Sequence, residues 1–368
     1  MRVPDISFYN TFLKNDRIKE NKLLKYTNQL SSGKKILQPS DNAIDSAKSL
    51  RLGKIIDDIS TYNRNMDQVQ AVLETAESTL GNIVNVSQEA RVHIIQVLNT
   101  GVMDAEDANI LRDYFQSVRN YIIKQANVSV GNSRIFGGVN AQIDPFNTQG
   151  IYQGQTLETK VPISKGVELN TTFNGIDYLG TIKSGVWNDT NADGNVDITE
   201  VSNKIGVVKA LDDIIQIIDS GDIYKLHGYL SDMGYSNPND ALVGATESGT
   251  LTINYGSYTL NINYDGDTTT PNPSTLSELV NAINTDPTNK YVQAFVFQDK
   301  DGVYRLGLVA KNDASIPITV SDSSGALSKR LGSVSSILET FDKGFNGVSA
   351  ARSRIGTQMS VIEDLKPQ

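Results

Sequence analysis

The sequence has no cysteine, which excludes disulfides, thiol catalysis and thiolate-ligated metals. Histidine is nearly as scarce: His93 and His227 are the only imidazoles available as bases. Neither stands near a nucleophile motif, and both read as surface or packing residues. The glycines of "GNSRIFGG" lack the lysine and Ser/Thr that a phosphate loop needs, and "FGG" reads as a helix end. Glu74 and Glu77, one helical turn apart, read as a solvated pair. No catalytic residue is assigned, and the chain is not expected to be an enzyme.

Long apolar runs are also missing. None is long enough to cross a bilayer, and the opening "MRVPDISFYN" lacks the apolar core of a secretory signal. Composition alone places the chain in the cytosol, unless it leaves by a route that needs no cleaved signal. The net charge of -9 argues against a general phosphate-binding surface. The local excess of Lys14, Lys19, Lys22, Lys25, Lys34 and Lys35 reads as a solvated helix face, so neither nucleic acid nor membrane is expected as a partner.

What is present is length and periodicity. A chain of 368 residues with 39% hydrophobic content can bury more than one core. From Leu52, apolar residues recur at alternating steps of three and four through Ile55, Ile59, Tyr62, Met66, Val69, Leu73, Ala76, Leu80, Ile83, Ser87, Ala90, Ile94 and Val97. This predicts one helical rod of about 70 Å, which needs partner helices alongside it. Ser40 or Asp41 is expected to cap it, after Pro39 has held Gln38 out of the helical region. Gly101 is expected to end it, and Asp104 to cap a second helix with the seam Ala108, Leu111, Phe115, Val118, Ile122. A third seam runs from Leu327 through Leu331, Val334, Leu338, Phe341, Phe345 and Val348 to Ile355, Met359 and Ile362, with Arg352 in one seam position.

Between these seams, from about Ile151 to Ala326, Gly, Asn, Thr and Tyr become frequent and alternation replaces the helical period. "LTINYGSYTLNINY" predicts a hairpin turning near Gly256 and Ser257. A short helix capped by Ser274 or Thr275 follows, then strands in "YVQAFVFQD", "VYRLGLVA" and "IPITVSD". The expected fold class is α+β and multidomain: a long antiparallel helical bundle from the N- and C-terminal segments, with an inserted β-rich outer domain. The expected division is 1–40 as an N-terminal helix and linker, 41–150 plus 327–368 as the bundle, and 151–326 as the insert. Residues 1–32 are helix-compatible but poorly patterned, and marginal without company.

One loop carries ligand chemistry. "DTNADGNVDITE" places oxygen donors at Asp189, Asn191, Asp193, Asp197 and Glu200, the turn at Gly194 and a backbone carbonyl at Asn195, which is the spacing of a calcium loop. The preceding "TIKSGVW" reads as a strand, so only an exiting helix through Ile205, Val208, Leu211 and Ile215 is expected. A structural Ca²⁺ is the favoured reading, and a surface turn that binds nothing the alternative.

"LSSGKKILQPSDNAIDSAKSLRL", Leu30 to Leu52, closely resembles the segment joining the two N-terminal helices of bacterial flagellins and their relatives. "YNRNMDQVQAVLETAESTLGNI", "QANVSVGNSRIFGGVNAQIDPF" and "IYQG" resemble the hook–filament junction branch of that family more than flagellin itself. The resemblance covers about residues 1–155 and, more weakly, 327–368. It implies export of an unfolded chain through the flagellar type III channel, with an export chaperone. It further implies assembly outside the cell as a ring of copies that adapts the hook to the filament, against a neighbouring hook-associated protein and flagellin. In the family another C-terminal helix pairs with the N-terminal one, whereas here the sequence stops at "EDLKPQ", so a shortened form of a longer protein is expected. A filament-forming flagellin and a type III-secreted adhesin or binding module are the alternatives.

Overall fold

The computed structural model describes residues 4–38, 40, 42–99, 105–140 and 142–366. Pro39, Asp41, Gly101 and Asp104, which carried expectations about helix ends, lie outside the described residues. Two compact units make up the chain, residues 1–65 and 66–368.

Three helices open the chain: α1 (Pro4–Ser32), α2 (Ala43–Asn99) and α3 (Ala105–Ala126). Short strands follow, β1 (Ser129–Val130), β2 (Ser133–Arg134), β3 (Lys160–Ser164) and β4 (Val167–Asn170). Next come α4 (Gly175–Tyr178), β5 (Thr181–Ser184), β6 (Ser202–Ile205), α5 (Gly206–Ser220) and β7 (Tyr229–Ser231). The hairpin β8 (Ser248–Tyr255) and β9 (Tyr258–Asp265) leads to α6 (Leu276–Thr285), β10 (Val292–Gln298), β11 (Tyr304–Ala310) and β12 (Ile318–Asp322). The chain closes with α7 (Ala326–Leu331), β13 (Val334–Ser336) and α8 (Ile337–Leu365).

In the first unit, Asn42 caps α2: its Oδ1 accepts from the backbone of Ile44 at 3.1 Å and Asp45 at 3.2 Å. Gly33 ends α1 at φ +66°, a conformation that favours glycine.

In the second unit the long seam is buried from Met66 to Val97, as its period predicts. Leu52, Ile55 and Ile59, further back along α2, are exposed. The helix laid against α2 is α8. Its ion pairs run Arg91–Asp342 at 2.6 Å, Glu77–Arg352 at 2.7 Å and Asp67–Lys366 at 3.0 Å. Numbers fall on α2 as they rise on α8, so the two are antiparallel. Arg352, the charge in a seam position, reaches out to Glu77 instead of entering the core. The C-terminal seam begins ten residues later than the sequence suggested: Leu327 and Leu331 sit on α7 and pack in a different core. Gly332, at φ +65° and ψ -151°, cannot continue a helix, and β13 separates the two helical pieces.

The predicted hairpin turns at Gly256 (φ +59°), with Tyr255 opposite Tyr258. Thr275 caps α6 through the Glu278 amide. Among the described residues, two large apolar cores result. The first joins α2, α3 and α8 with α4, α5 and the strands around them, so residues 163–230 of the insert contribute to the core of the helices. The second gathers β8, β9, β12, α6 and α7. Between them lies the antiparallel sheet β10-β11-β7-β13. Because side chains alternate along a strand, Phe295, Phe297 and Val309 point into the first core while Val292, Ala294, Leu306 and Leu308 point into the second.

Candidate metal loop and assembly surface

The loop Asp189–Glu200 connects β5 and β6, which pair as a hairpin from Thr181↔Ile205 to Ser184↔Ser202. The expected exiting helix is therefore displaced: β6 follows the loop directly, and α5 begins only at Gly206.

Within the loop, the side chains of Asp189, Asn191, Asp193 and Glu200 accept from backbone amides, whereas that of Asp197 accepts from the Asn191 side chain. Asp189 Oδ2 accepts from Gly194 N at 2.9 Å, Asn191 Oδ1 from Asp193 N at 3.0 Å, and Asp193 Oδ1 from Asn195 N at 2.7 Å. Ala192 (φ 59°) and Gly194 (φ 73°) supply the left-handed steps that wind the chain around these carboxylates. The Asn191 amide lies between Asp193 Oδ2 at 3.3 Å and Asp197 Oδ2 at 3.1 Å. Glu200 is buried and closes the loop, accepting from Thr190 N, Thr190 Oγ1, Asn191 N and Asp197 N at 2.9–3.3 Å. Burial alone would push its carboxyl up. The hydrogen bonds from Asp197, Asn191 and Thr190 outweigh that and hold it below the usual glutamate range.

One oxygen is left over: Asp189 Oδ1 is buried with no hydrogen-bond partner. Among the described residues, no group of three His, Cys, Asp or Glu side chains is disposed to hold a metal ion. The loop's carboxylates are spent largely on its own amides. Beside it, Trp187 packs on Val201 and Met233 with the Arg330 guanidinium 4.8 Å above its ring.

Sequence reasoning missed the buried charges of α5. Lys209, Asp212 and Asp213 are all about 2% exposed on a helix buried almost throughout. Asp212 takes Arg119 at 2.6 Å and Lys204 at 2.8 Å, and Lys204 continues to Asp301 at 2.6 Å. Asp213 receives both Nη atoms of Arg305, at 2.6 and 3.0 Å. The signal was present in "GVVKALDDIIQII", where charges interrupt an otherwise apolar helix. His93 makes an edge contact with Tyr114 at 4.6 Å and meets Gln96 at 3.1 Å.

The first unit presents the opposite of a core. On α1, Phe8, Phe12, Leu23, Leu24 and Leu30 are each at least 60% exposed, and on α2 Ile44 and Leu50 are 70% or more. Among the described residues, no helix is long and apolar enough to cross a membrane.

The profile of the bacterial flagellin N-terminal helical region matches residues 7–141. Flagellar hook-associated protein 3 of Escherichia coli K12 is 27% identical over 157 residues, 42% of this chain and 49% of that protein. The protein of the same name from Salmonella typhimurium LT2 is 27% identical over 140 residues, 37% of this chain and 44% of its own length. The chain thus spans about half the length of the curated relatives it matches. Among solved structures, the flagellar junction protein FlgL from Legionella pneumophila superposes with a TM-score of 0.45 at 14% identity, covering 86% of this chain and 99% of that one. The chain resembles the bacterial flagellin family through its N-terminal helical region, and flagellar hook-associated protein 3 over 37–42% of its length.

Proposed function

We propose that this chain is a structural part of the bacterial flagellum, an adaptor between hook and filament, and not an enzyme. The observation that carries the reading is the first unit's exposed apolar surface, taken with the flagellin-type match over residues 7–141. A helix that leaves Phe8, Phe12, Leu23 and Leu24 in water gains its stability only when other helices cover them. In this reading, neighbouring copies in a ring supply those helices, and the outer partners are another hook-associated protein and flagellin. Residues 1–40 enter the inner tube, 41–150 plus 337–368 form the rod, and 151–336 face outward, the first part of that insert sharing the rod's core. Export proceeds unfolded through the type III channel, with a chaperone and without a cleaved signal. The test is complementation of a strain lacking the gene. Leu23→Glu with Leu24→Glu should be exported and fold its second unit normally, yet fail to restore filaments. Full motility with that variant would overturn the role of this surface.

A second reading concerns the loop. We propose that Asp189, Asn191, Asp193, Asn195, Asp197 and Glu200 bind a structural Ca²⁺. The spacing, the two left-handed steps and the unpaired Asp189 Oδ1 support it. Bound calcium would neutralise the loop's carboxylates and stabilise the β5–β6 hairpin, with no part in any reaction.

A further inference from the structure

Three features couple the inserted lobe, residues 229–336, to the helices. The sheet β10-β11-β7-β13 has one face in each apolar core, so neither core is complete without it. The chain enters the lobe on β7 and leaves it on β13, and these strands pair side by side from Val334↔Ser231 to Ser336↔Tyr229. A swivel at the entry would have to tear that pairing.

The third feature is ionic. Arg305 on β11, 1% exposed, grips both oxygens of Asp213 on α5 and donates from Nε to the Ser231 carbonyl at 2.5 Å. The β10–β11 turn adds a second hold, through Asp301 on Lys204 at 2.6 Å and Lys300 on Gln116 of α3 at 3.4 Å. Ion pairs out of water tolerate little displacement, because separating them leaves each charge desolvated and unpaired. An apolar contact slides; a bidentate guanidinium–carboxylate pair does not.

We propose that the lobe is bolted to the helices, so that residues 66–368 move, and unfold, as one cooperative body with no hinge between the two cores. A load applied to the lobe is then carried directly by α5 and α8. The inference is independent of the flagellar reading.

The test uses the full chain and mild variants that still fold. Ile94→Val lies in the first core and Ile253→Val in the second. Urea unfolding is followed by helical circular dichroism and by fluorescence of Trp187, the only tryptophan, while hydrogen exchange separates amides of β8–β9 from those of α2 between residues 73 and 97. The bolted account expects each variant to shift both spectroscopic midpoints equally, and the slowest amides of both regions to open together. Ile253→Val lowering only the protection of β8–β9, with α2 unchanged, would overturn it and establish a hinged lobe.

Discussion

Gly344 on α8 lies against Gly206 at the start of α5: a Cβ on Gly206 would sit 2.8 Å from the Gly344 Cα, and a Cβ on Gly344 would overlap the peptide between Gly206 and Val207. The obstacle is backbone on both sides, so no side chain can swing away. Gly344→Ala should therefore destabilise by about 1–3 kcal/mol or more. Gly356 on the same helix meets nothing within 4 Å, and Gly356→Ala should stabilise by about 0.5–1 kcal/mol. Urea midpoints of the pair check both signs against each other.

Burial ranks the ion pairs. The side chains of Arg305 and Asp213 are 1% and 3% exposed, those of Arg91 and Asp342 39% and 30%. Arg305→Met strands a buried carboxylate and should cost about 3–5 kcal/mol, while Arg91→Met should cost about 1 kcal/mol or less. Raising the salt concentration should erode only the Arg91 contribution. Equal losses for the two variants would contradict this ranking.

Lys209 gives the stability a slope with pH. Burial, and then the Arg305 charge, push its ammonium down to about 8 from 10.5, against the pull of Asp213, Asp299 and Asp232. Its nearest hydrogen-bonding atom is Ser184 Oγ at 3.4 Å. Between these two values the unfolded chain holds the proton more tightly than the folded one. The contribution of this group therefore rises with pH across that window and is at its lowest below it. Comparing urea midpoints from pH 7 to about 9.5 keeps clear of the tyrosines whose raised values act in the opposite sense above about pH 10. The stability of the wild type relative to Lys209→Met should stay level up to about pH 8 and rise from there to the end of that range. A constant difference would show that the Lys209 proton is not involved.

For the loop, millimolar calcium should raise the melting temperature and alter the Trp187 emission, with a dissociation constant no weaker than about 10⁻⁴–10⁻³ M. Glu200→Ala is a poor probe, since that carboxylate already caps Thr190, Asn191 and Asp197 without metal. Asp189→Asn keeps an oxygen for the Gly194 amide while removing the charge. It should leave the calcium-free melting temperature within a degree or two and abolish the calcium-induced rise. No calcium-induced change in the wild type, by calorimetry or by fluorescence, would make the loop a turn only.

Periodicity made the helices and most strands legible, because Met66 to Val97 and the alternation of β8 and β9 follow directly from which face must leave water. It did not reveal where partnership stops: Leu52, Ile55 and Ile59 carry the same pattern as Leu73 and Leu80, and local sequence says nothing about whether a helix is there to cover them. The boundary near residue 229 was invisible for a related reason. The apolar run of α5 reads equally well in either core, and only Asp212 and Asp213, meeting Arg119 and Arg305 from distant segments, show that it lies between α3 and the shared sheet. The calcium spacing was legible residue by residue, but its setting in a β-hairpin depended on "SNKI" forming a strand despite its polar composition.

The adaptor role is tested most directly by electron microscopy of cells lacking the gene, together with assay of the culture medium for filament protein. The account predicts intact hooks that bear no filaments, with unassembled filament protein shed into the medium. Hooks carrying normal filaments in that strain would contradict it.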